Sequence, residues 1–270
     1  MKQPELGVQR EAHEARARYQ AAYRASFAAP QDDMWASFVD AAEPLALLAD
    51  GEPVGYGALN AESELLAFYL QPEFRHVGPY MLKFLITHLE LTAGIVSTID
   101  PLSLSLCLEA GHSPETRALM YEHVLEPRPG VAPLELRVAT AADLEAAIAF
   151  DEAAIGAPRS FLEPYLGARI ENGELLLCER DGAIIASGEC RVDTRAPGHV
   201  HLGMIVGREH RGTGLGRRMM HTLVDECRAR NLKPLCSTEP DNVPAQRAIE
   251  SAGFRSQHRV FRIAYAPGHL

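Results

Sequence analysis

The sequence predicts an α/β protein made of two domains in tandem, and three observations predict it. At 270 residues the chain exceeds what one hydrophobic core usually serves. Near its middle, Glu126-Pro127-Arg128-Pro129-Gly130-Val131-Ala132-Pro133 holds three prolines and a glycine, a stretch that sustains neither a helix nor an interior strand. On both sides of it, period-two and helix-period apolar patterns alternate along the chain. The expected domains are residues 1–130 and 131–270.

The second half gives its elements in a clear order. Leu134-Glu135-Leu136-Arg137-Val138 alternates like a half-buried strand. Thr140 sits three residues before Asp143, a capping-box-like start for a helix carrying Leu144, Ile148 and Phe150. A second helical stretch, about Phe161 to Ile170, is expected to be interrupted at Pro164. The segments 174–180 and 183–192 flank Asp181-Gly182, the dipeptide of tight hairpins. Next come a strand over 200–206, a glycine-rich turn, a helix from about Gly214 to Arg230 and a short strand at 234–238. A helix over 242–252 ends at Gly253, a left-handed C-cap residue, and 254–265 supplies closing strands. The result is a helical layer around a mixed sheet.

Composition bounds the partners. An apolar fraction of 47% and a charged fraction of 23% describe an ordinary globular chain, with no apolar run near the roughly 20 residues of a membrane span. The N-terminus lacks the apolar centre of a secretory signal, so a cytoplasmic protein is expected. The five cysteines are scattered with no C-x-x-C pair, which argues against a disulfide framework and a zinc ribbon. The formal charge is −10, and residues 1–130 hold 9 Lys/Arg against 18 Asp/Glu, so nucleic acid is a poor partner.

The chemistry is expected in the run Met204-Ile205-Val206-Gly207-Arg208-Glu209-His210-Arg211-Gly212-Thr213-Gly214-Leu215-Gly216-Arg217, which joins a strand to a helix. Glycines at alternate positions let the backbone turn tightly, aim several N–H groups at one spot and admit a pyrophosphate. The helix N-terminus adds positive dipole, and Arg211 and Arg217 add charge. Two other phosphate cradles fail on spacing. A dinucleotide fingerprint needs G-x-G-x-x-G, but Arg217 stands in the third glycine's place, and no G-K-[ST] follows for a nucleoside triphosphate.

At these residues the chain resembles the GNAT superfamily of N-acetyltransferases. The family's [QR]-x-x-G-x-[GA] is matched by Arg211, Gly214 and Gly216, and a second element by Asn242-x-x-Ala245 followed by Ala252-Gly253-Phe254. The resemblance covers about residues 134–265. It implies a mixed, mostly antiparallel sheet flanked by helices, with acetyl-coenzyme A as cosubstrate. It also implies that Met204, Ile205 and Val206 pair through their backbone with the pantetheine arm. Gly212, Thr213, Gly214, Leu215, Gly216 and Arg217 would hold the pyrophosphate, and Asn242 would hydrogen-bond the cosubstrate where two strands splay.

The first half repeats the pattern weakly. Pro72-Glu73-Phe74-Arg75-His76-Val77-Gly78-Pro79-Tyr80 aligns without a gap beneath residues 208–216, matching at Glu73, Arg75 and Gly78, and Asp50-Gly51 mirrors Asp181-Gly182. This gives two tandem GNAT-like α/β domains. His76, Pro79 and Tyr80 spoil the first loop, and Asp100 stands where Asn242 does, so the first domain is expected to keep the fold and lose efficient cofactor binding.

For catalysis, an alkylamine with a pKa of ~10.4 must lose a proton before it attacks a thioester. A backbone N–H near Val206 would stabilise the charge on the carbonyl. His201 and Glu189 are the candidate bases, and the sequence does not choose between them. Strand parity puts His201 and Met204 on opposite faces. Ile249 occupies the position of the family's acid tyrosine, leaving that role unfilled. His199-x-His201 has no apparent third ligand, so no metal is expected. The implied acceptor is a primary amine on a small molecule or a peptide N-terminus. The rival reading is an acyl-coenzyme A sensor without turnover, and oligomeric state is not legible.

Overall fold

The structure is a computed structural model describing residues 4–266. These residues form two compact units. One runs to Leu119 and is rejoined by the chain from His258 onward; the other is Met120–Gln257. The proline-rich stretch 126–133 therefore falls inside the second unit.

The first unit contains β1 (Leu6–Gln9), α1 (His13–Ala25), α2 (Asp33–Ala41), β2 (Glu43–Ala49), β3 (Glu52–Leu59), β4 (Glu64–Leu70), α3 (Gly78–His88), β5 (Ala93–Ser97), α4 (Pro101–Ala110) and most of β6 (His112–His123). Its strands run in the order β1-β2-β3-β4-β5, antiparallel except for the parallel β4/β5 pair. Leu45, Leu47, Phe68, Leu70, Met81 and Leu85 form the centre of its core.

The second unit contains β7 (Arg137–Val138), α5 (Leu144–Ile155), α6 (Arg159–Glu171), β8 (Leu175–Arg180), β9 (Ala183–Val192), β10 (His199–Val206), α7 (Leu215–Ala229), β11 (Lys233–Thr238), α8 (Val243–Ser251) and the start of β12 (Phe254–Ala264). The order β11-β10-β9-β8-β7 has one parallel pair, β10/β11. The end of β12, Val260–Ala264, pairs antiparallel with Ser97–Ala93 of β5 and so belongs to the first unit. Each unit is a mixed, mostly antiparallel sheet with helices packed on it.

Local sequence explains the hairpins. Asp181 and Gly182 both have positive φ (53° and 78°), as do Asp50 and Gly51 (51° and 81°). That is the two-residue turn whose twist matches the flanking strands. Thr140 opens its helix as expected, its N–H donating to Asp143 Oδ2 at 2.7 Å. Gly253, with φ 97°, follows α8; a Cβ there would lie 2.2 Å from the Leu125 carbonyl oxygen. Two expectations differ. The strand at 134–138 shrinks to Arg137–Val138, because the Leu134 N–H donates to Thr222 Oγ1 (2.9 Å) instead of to a ladder. Pro164 does not interrupt α6, which is continuous. The proline lies exposed near the helix start, where it costs the single bond to the Ser160 carbonyl.

The β9/β10 register sorts the site by face. Gly203 lies opposite Glu189, His201 opposite Arg191, and Met204 opposite Gly188. His201, Gly203, Glu189 and Arg191 therefore share the face that α5 and α6 cover through Ile148, Leu162 and Leu166 on Leu175 and Leu177. Met204 and Val206 share the other face with Gly188, where a Cβ would sit 2.9 Å from Met219 Sδ of α7.

Candidate active site

The loop after β10 is built around two left-handed residues. Gly212 has φ 76° and Gly214, the N-cap of α7, has φ 84°; a side chain at either would meet no neighbour within 4 Å, so the demand for glycine is conformational. Gly216 is under no such demand: it lies in the first turn of α7 without a positive φ, and a Cβ would meet Val206 Cγ2 at 3.5 Å and Met204 Sδ at 3.6 Å, ordinary contact distances.

The consequence is a run of main-chain donors. The first helical bond of α7 is from the Arg218 N–H to the Gly214 carbonyl (3.1 Å), and no side chain caps the helix. Among the described residues, the N–H groups of Gly212, Thr213, Gly214, Leu215, Gly216 and Arg217 have no hydrogen-bond acceptor. Six consecutive N–H groups without acceptors at a helix N-terminus are the kind of donor set that suits an anion. Thr213 braces it by donating from Oγ1 to the His210 carbonyl at 2.7 Å.

Beside the loop, the sheet opens. β10 and β11 pair only from His199–Lys233 to His201–Leu235, after which β10 continues against β9 alone through Val206. Among the described residues, the main chain of Met204, Ile205 and Val206 has no strand partner on its β11 side. At the far end of β11, Asn242 caps α8: its Oδ1 accepts from the Ala245 N–H at 3.3 Å, and its amide NH2 remains as a donor at an exposed position.

The two arginines divide the work differently from their sequence reading. Arg211 Nη2 donates to the Ala154 carbonyl at 2.7 Å and its Nε to the Val206 carbonyl at 3.2 Å; Arg208 Nε also reaches Ala154 (3.2 Å). These bonds complete the C-terminal end of α5 and fix the loop to it. Arg217 is exposed in the first turn of α7.

On the α5/α6 face, His201 and Glu189 have unlike surroundings. His201 is 1% exposed, and its Nε2 is paired with Asp193 Oδ2 at 2.9 Å. Burial pushes the Asp193 carboxyl up, but hydrogen bonds from His201 and from the Ala196 and Arg195 N–H groups outweigh it, leaving Asp193 below the usual aspartate value. Glu189 Oε2 accepts from Tyr165 Oη (2.6 Å) and lies 3.4 Å from Arg191 Nη1, which also donates to Tyr165 (2.7 Å). It overhangs Gly203: a Cβ there would meet Glu189 Oε2 at 3.3 Å.

Sequence reasoning missed Asp151. It sits on α5 in the buried stripe Ala147, Ile148, Asp151, Ala154 and is 3% exposed. Burial, with the Glu189 charge adding to it, pushes its carboxyl up to about 7. The signal was present as an acid on the apolar face of an amphipathic helix, spaced seven residues from Leu144. Ile249, by contrast, is a core residue of α8 and brings no hydroxyl.

The corresponding loop of the first unit is a different object. Residues Pro72–Val77 form a 3-10 turn that runs directly into α3, and Gly78 has a right-handed φ of −50°. Its N–H is already bonded to the Arg75 carbonyl, and no residue of the turn has positive φ. Asp100 does occupy the place of Asn242: each caps a helix by accepting from the N–H three residues on, Ser103 at 3.2 Å in the case of Asp100.

Comparison with known proteins agrees with this geometry. The Acetyltransferase (GNAT) domain model matches residues 13–124, and the Acetyltransferase (GNAT) family model matches residues 139–254. A GNAT-family acetyltransferase from Colwellia psychrerythraea is 30% identical over 97% of this chain and 100% of its own, with a TM-score of 0.91. This chain belongs to the GNAT family of acetyltransferases. The GNAT assignment makes it an N-acetyltransferase with two tandem GNAT domains. The tandem fold is shared by a GCN5-related N-acetyltransferase from Sphaerobacter thermophilus (18% identity, 97% and 96% of the two chains, TM-score 0.68). It is shared too by a tandem GNAT protein from the clavulanic acid biosynthesis pathway (14%, 98% and 100%, TM-score 0.62). A search of curated proteins found no match for this GNAT chain.

Proposed function

We propose that this GNAT protein transfers the acetyl group of acetyl-coenzyme A directly to a primary amine, and that the reaction takes place in the second unit. The observation that carries the reading is the run of six unsatisfied N–H groups, Gly212 to Arg217, beside a strand that has lost its neighbour. An exposed donor set of that kind fits a pyrophosphate, and the open edge of Met204–Val206 fits the amide groups of a pantetheine arm. Asn242 offers its NH2 to the same substrate. Arg217 adds charge at the rim, while Arg211 acts indirectly by fixing the loop to α5. A main-chain N–H near Val206 is placed to receive the negative charge that grows on the thioester oxygen.

The acceptor enters on the α5/α6 face. Glu189 contributes negative charge there, and His201, held by Asp193 in the interior, acts as a structural residue of that face. The acceptor class is a primary amine of a small molecule or a peptide N-terminus. The first unit, lacking left-handed glycines in its loop, keeps the fold without an efficient cofactor cradle.

The test is calorimetric titration of acetyl-coenzyme A into the whole protein and into Gly214→Glu. One site per chain, lost in the variant, supports the reading. Two sites would give the first unit a cofactor role, and no binding would overturn the reading. Tight binding without thiol release, over a broad set of amines, would favour a sensor.

A further inference from the structure

We infer that Asp151 and Glu189 form an acceptor-ammonium site over Gly203, in which Glu189 anchors the cation and Asp151 takes its proton. The inference rests on the proposed acetyl transfer and deepens it by naming the acceptor's form and the residue that activates it.

Asp151 is 3% exposed, and its carboxyl has no hydrogen-bond partner among the described residues. A buried carboxylate left without a donor is costly, and a purely structural acid in such a place would be expected to have found one. Asp100 shows the alternative: equally buried, it accepts from both the Ser103 N–H and the Ser103 hydroxyl. A second unsatisfied polar atom lies on the same sheet face, the buried Nδ1 of His201, two residues along β10 from Gly203.

Gly203 has no side chain opposite Glu189, so the carboxylate lies over bare backbone instead of against a neighbour. The surrounding charges are accounted for. Arg191 lies 3.4 Å from Glu189 on β9, Tyr165 of α6 donates to Glu189, and Arg169 is paired with Glu174 at 2.9 Å. On β10, His201 is paired with Asp193. Asp151 is the one acid of the group with no cation or donor opposite it, and an arriving ammonium supplies both.

The two acids have distinct tasks. Glu189 is already held in place by Tyr165 and Arg191, which makes it a fixed anchor for a cation. Asp151 is held near neutrality by burial, the range in which a general base works best at physiological pH. An ammonium N–H bond breaks with its electron pair remaining on nitrogen, and the proton goes to Asp151. The neutral nitrogen attacks the thioester carbonyl carbon, and the C–S bond breaks with its pair on sulfur. Asp151 then returns its proton to the thiolate, while the acylated nitrogen loses its extra proton to water. The balance is ammonium plus thioester to amide, thiol and one released proton.

The experiment uses the whole protein with n-butylamine and alanyl-alanine as probes and two readouts. One is thiol release from acetyl-coenzyme A; the other is n-butylammonium binding without acetyl-coenzyme A, by saturation-transfer NMR. Asp151→Asn should lower thiol release at least a hundredfold and weaken n-butylammonium binding about tenfold, with acetyl-coenzyme A affinity within twofold of wild type. Gly203→Leu, which keeps both acids but puts a side chain against Glu189 Oε2, should abolish both acceptor readouts. Thiol release within threefold of wild type in Asp151→Asn would overturn the inference. So would failure of the acetyl-coenzyme A-loaded protein to bind or acetylate either probe. If acetyl-coenzyme A itself fails to bind, the proposed function falls; n-butylammonium binding weakened about tenfold in Asp151→Asn would then still support the cation site.

Discussion

The stretches 72–80 and 208–216 do the same structural task, leading a strand that borders a parallel pair into a helix, but by different backbone routes. In the first, a right-handed turn passes straight into α3 and spends the Gly78 N–H on Arg75. In the second, left-handed Gly212 and Gly214 turn the chain outward and leave six N–H groups without acceptors. Both routes preserve the sheet, since each strand pair begins in register and then parts: β4/β5 after Leu65–Gly94, β10/β11 after His201–Leu235. The fold therefore does not need the cradle. The glycine pair that distinguishes the loops sets the open donors of the second loop, not the sheet that both loops serve.

The comparison can be broken most sharply at aligned glycines. Gly214→Glu combines a side chain at φ 84° with a negative charge in an anion site, and acetyl-coenzyme A affinity should fall a thousandfold or more, about 4 kcal/mol, by calorimetry. The two buried aspartates sharpen it next. The Asp151 carboxyl sits near 7 in the folded protein, against 3.8 when unperturbed. As pH rises from 4 to 7 the unfolded chain loses this proton while the folded chain keeps it, so stability is lost over that window and stays level above it. Asp151→Asn removes the titration, so denaturant melts should show the variant gaining a few kcal/mol on wild type between about pH 4 and pH 8. Asp100→Asn leaves Ser103 facing an amide, and should instead lose about 1 kcal/mol near neutrality.

Smaller effects should follow. Gly212→Ala forces a Cβ at φ 76° and is expected to weaken acetyl-coenzyme A about tenfold, for a strain of about 1–2 kcal/mol. At Gly78 an alanine Cβ would meet the flexible tip of Leu106 at 3.0 Å while gaining about 1 kcal/mol of helix propensity. Its melting point should therefore stay close to wild type and its cofactor affinity should not change. Tyr80→Gly, at an exposed position of α3, should alter acetyl-coenzyme A binding less than twofold.

What the sequence made legible was local. The hairpins at Asp50-Gly51 and Asp181-Gly182 and the loop glycines Gly212 and Gly214 can be read because each states a demand on its own φ, and the Thr140 cap because Asp143 stands three residues on. Gly216, expected as part of the same glycine pattern, lies in the first turn of α7 without a positive φ, a difference that alternate glycines in a one-dimensional pattern do not reveal. Arg211 was expected at the phosphates, whereas its donors go to carbonyls that only the fold brings near. The influence of Glu189 on Asp151 was missed for the same reason: residues 38 positions apart act on each other only once β9 and α5 have packed. The shortened strand at 137–138 shows long-range override too, with Leu134 drawn off by Thr222.

The pairing of Val260–Ala264 with β5 has a temporal side. A ribosome makes residues 93–97 more than 160 positions before the strand that covers them. Through all of that synthesis the nascent first unit presents an unsatisfied strand edge, the kind that recruits other chains. The second unit, contiguous from Met120 to Gln257, has all its own strands as soon as its last residue emerges. Maturation should therefore run against the order of translation, with the half made first finishing last, and a ribosome stalled before residue 258 would hold a nascent chain with an open seam.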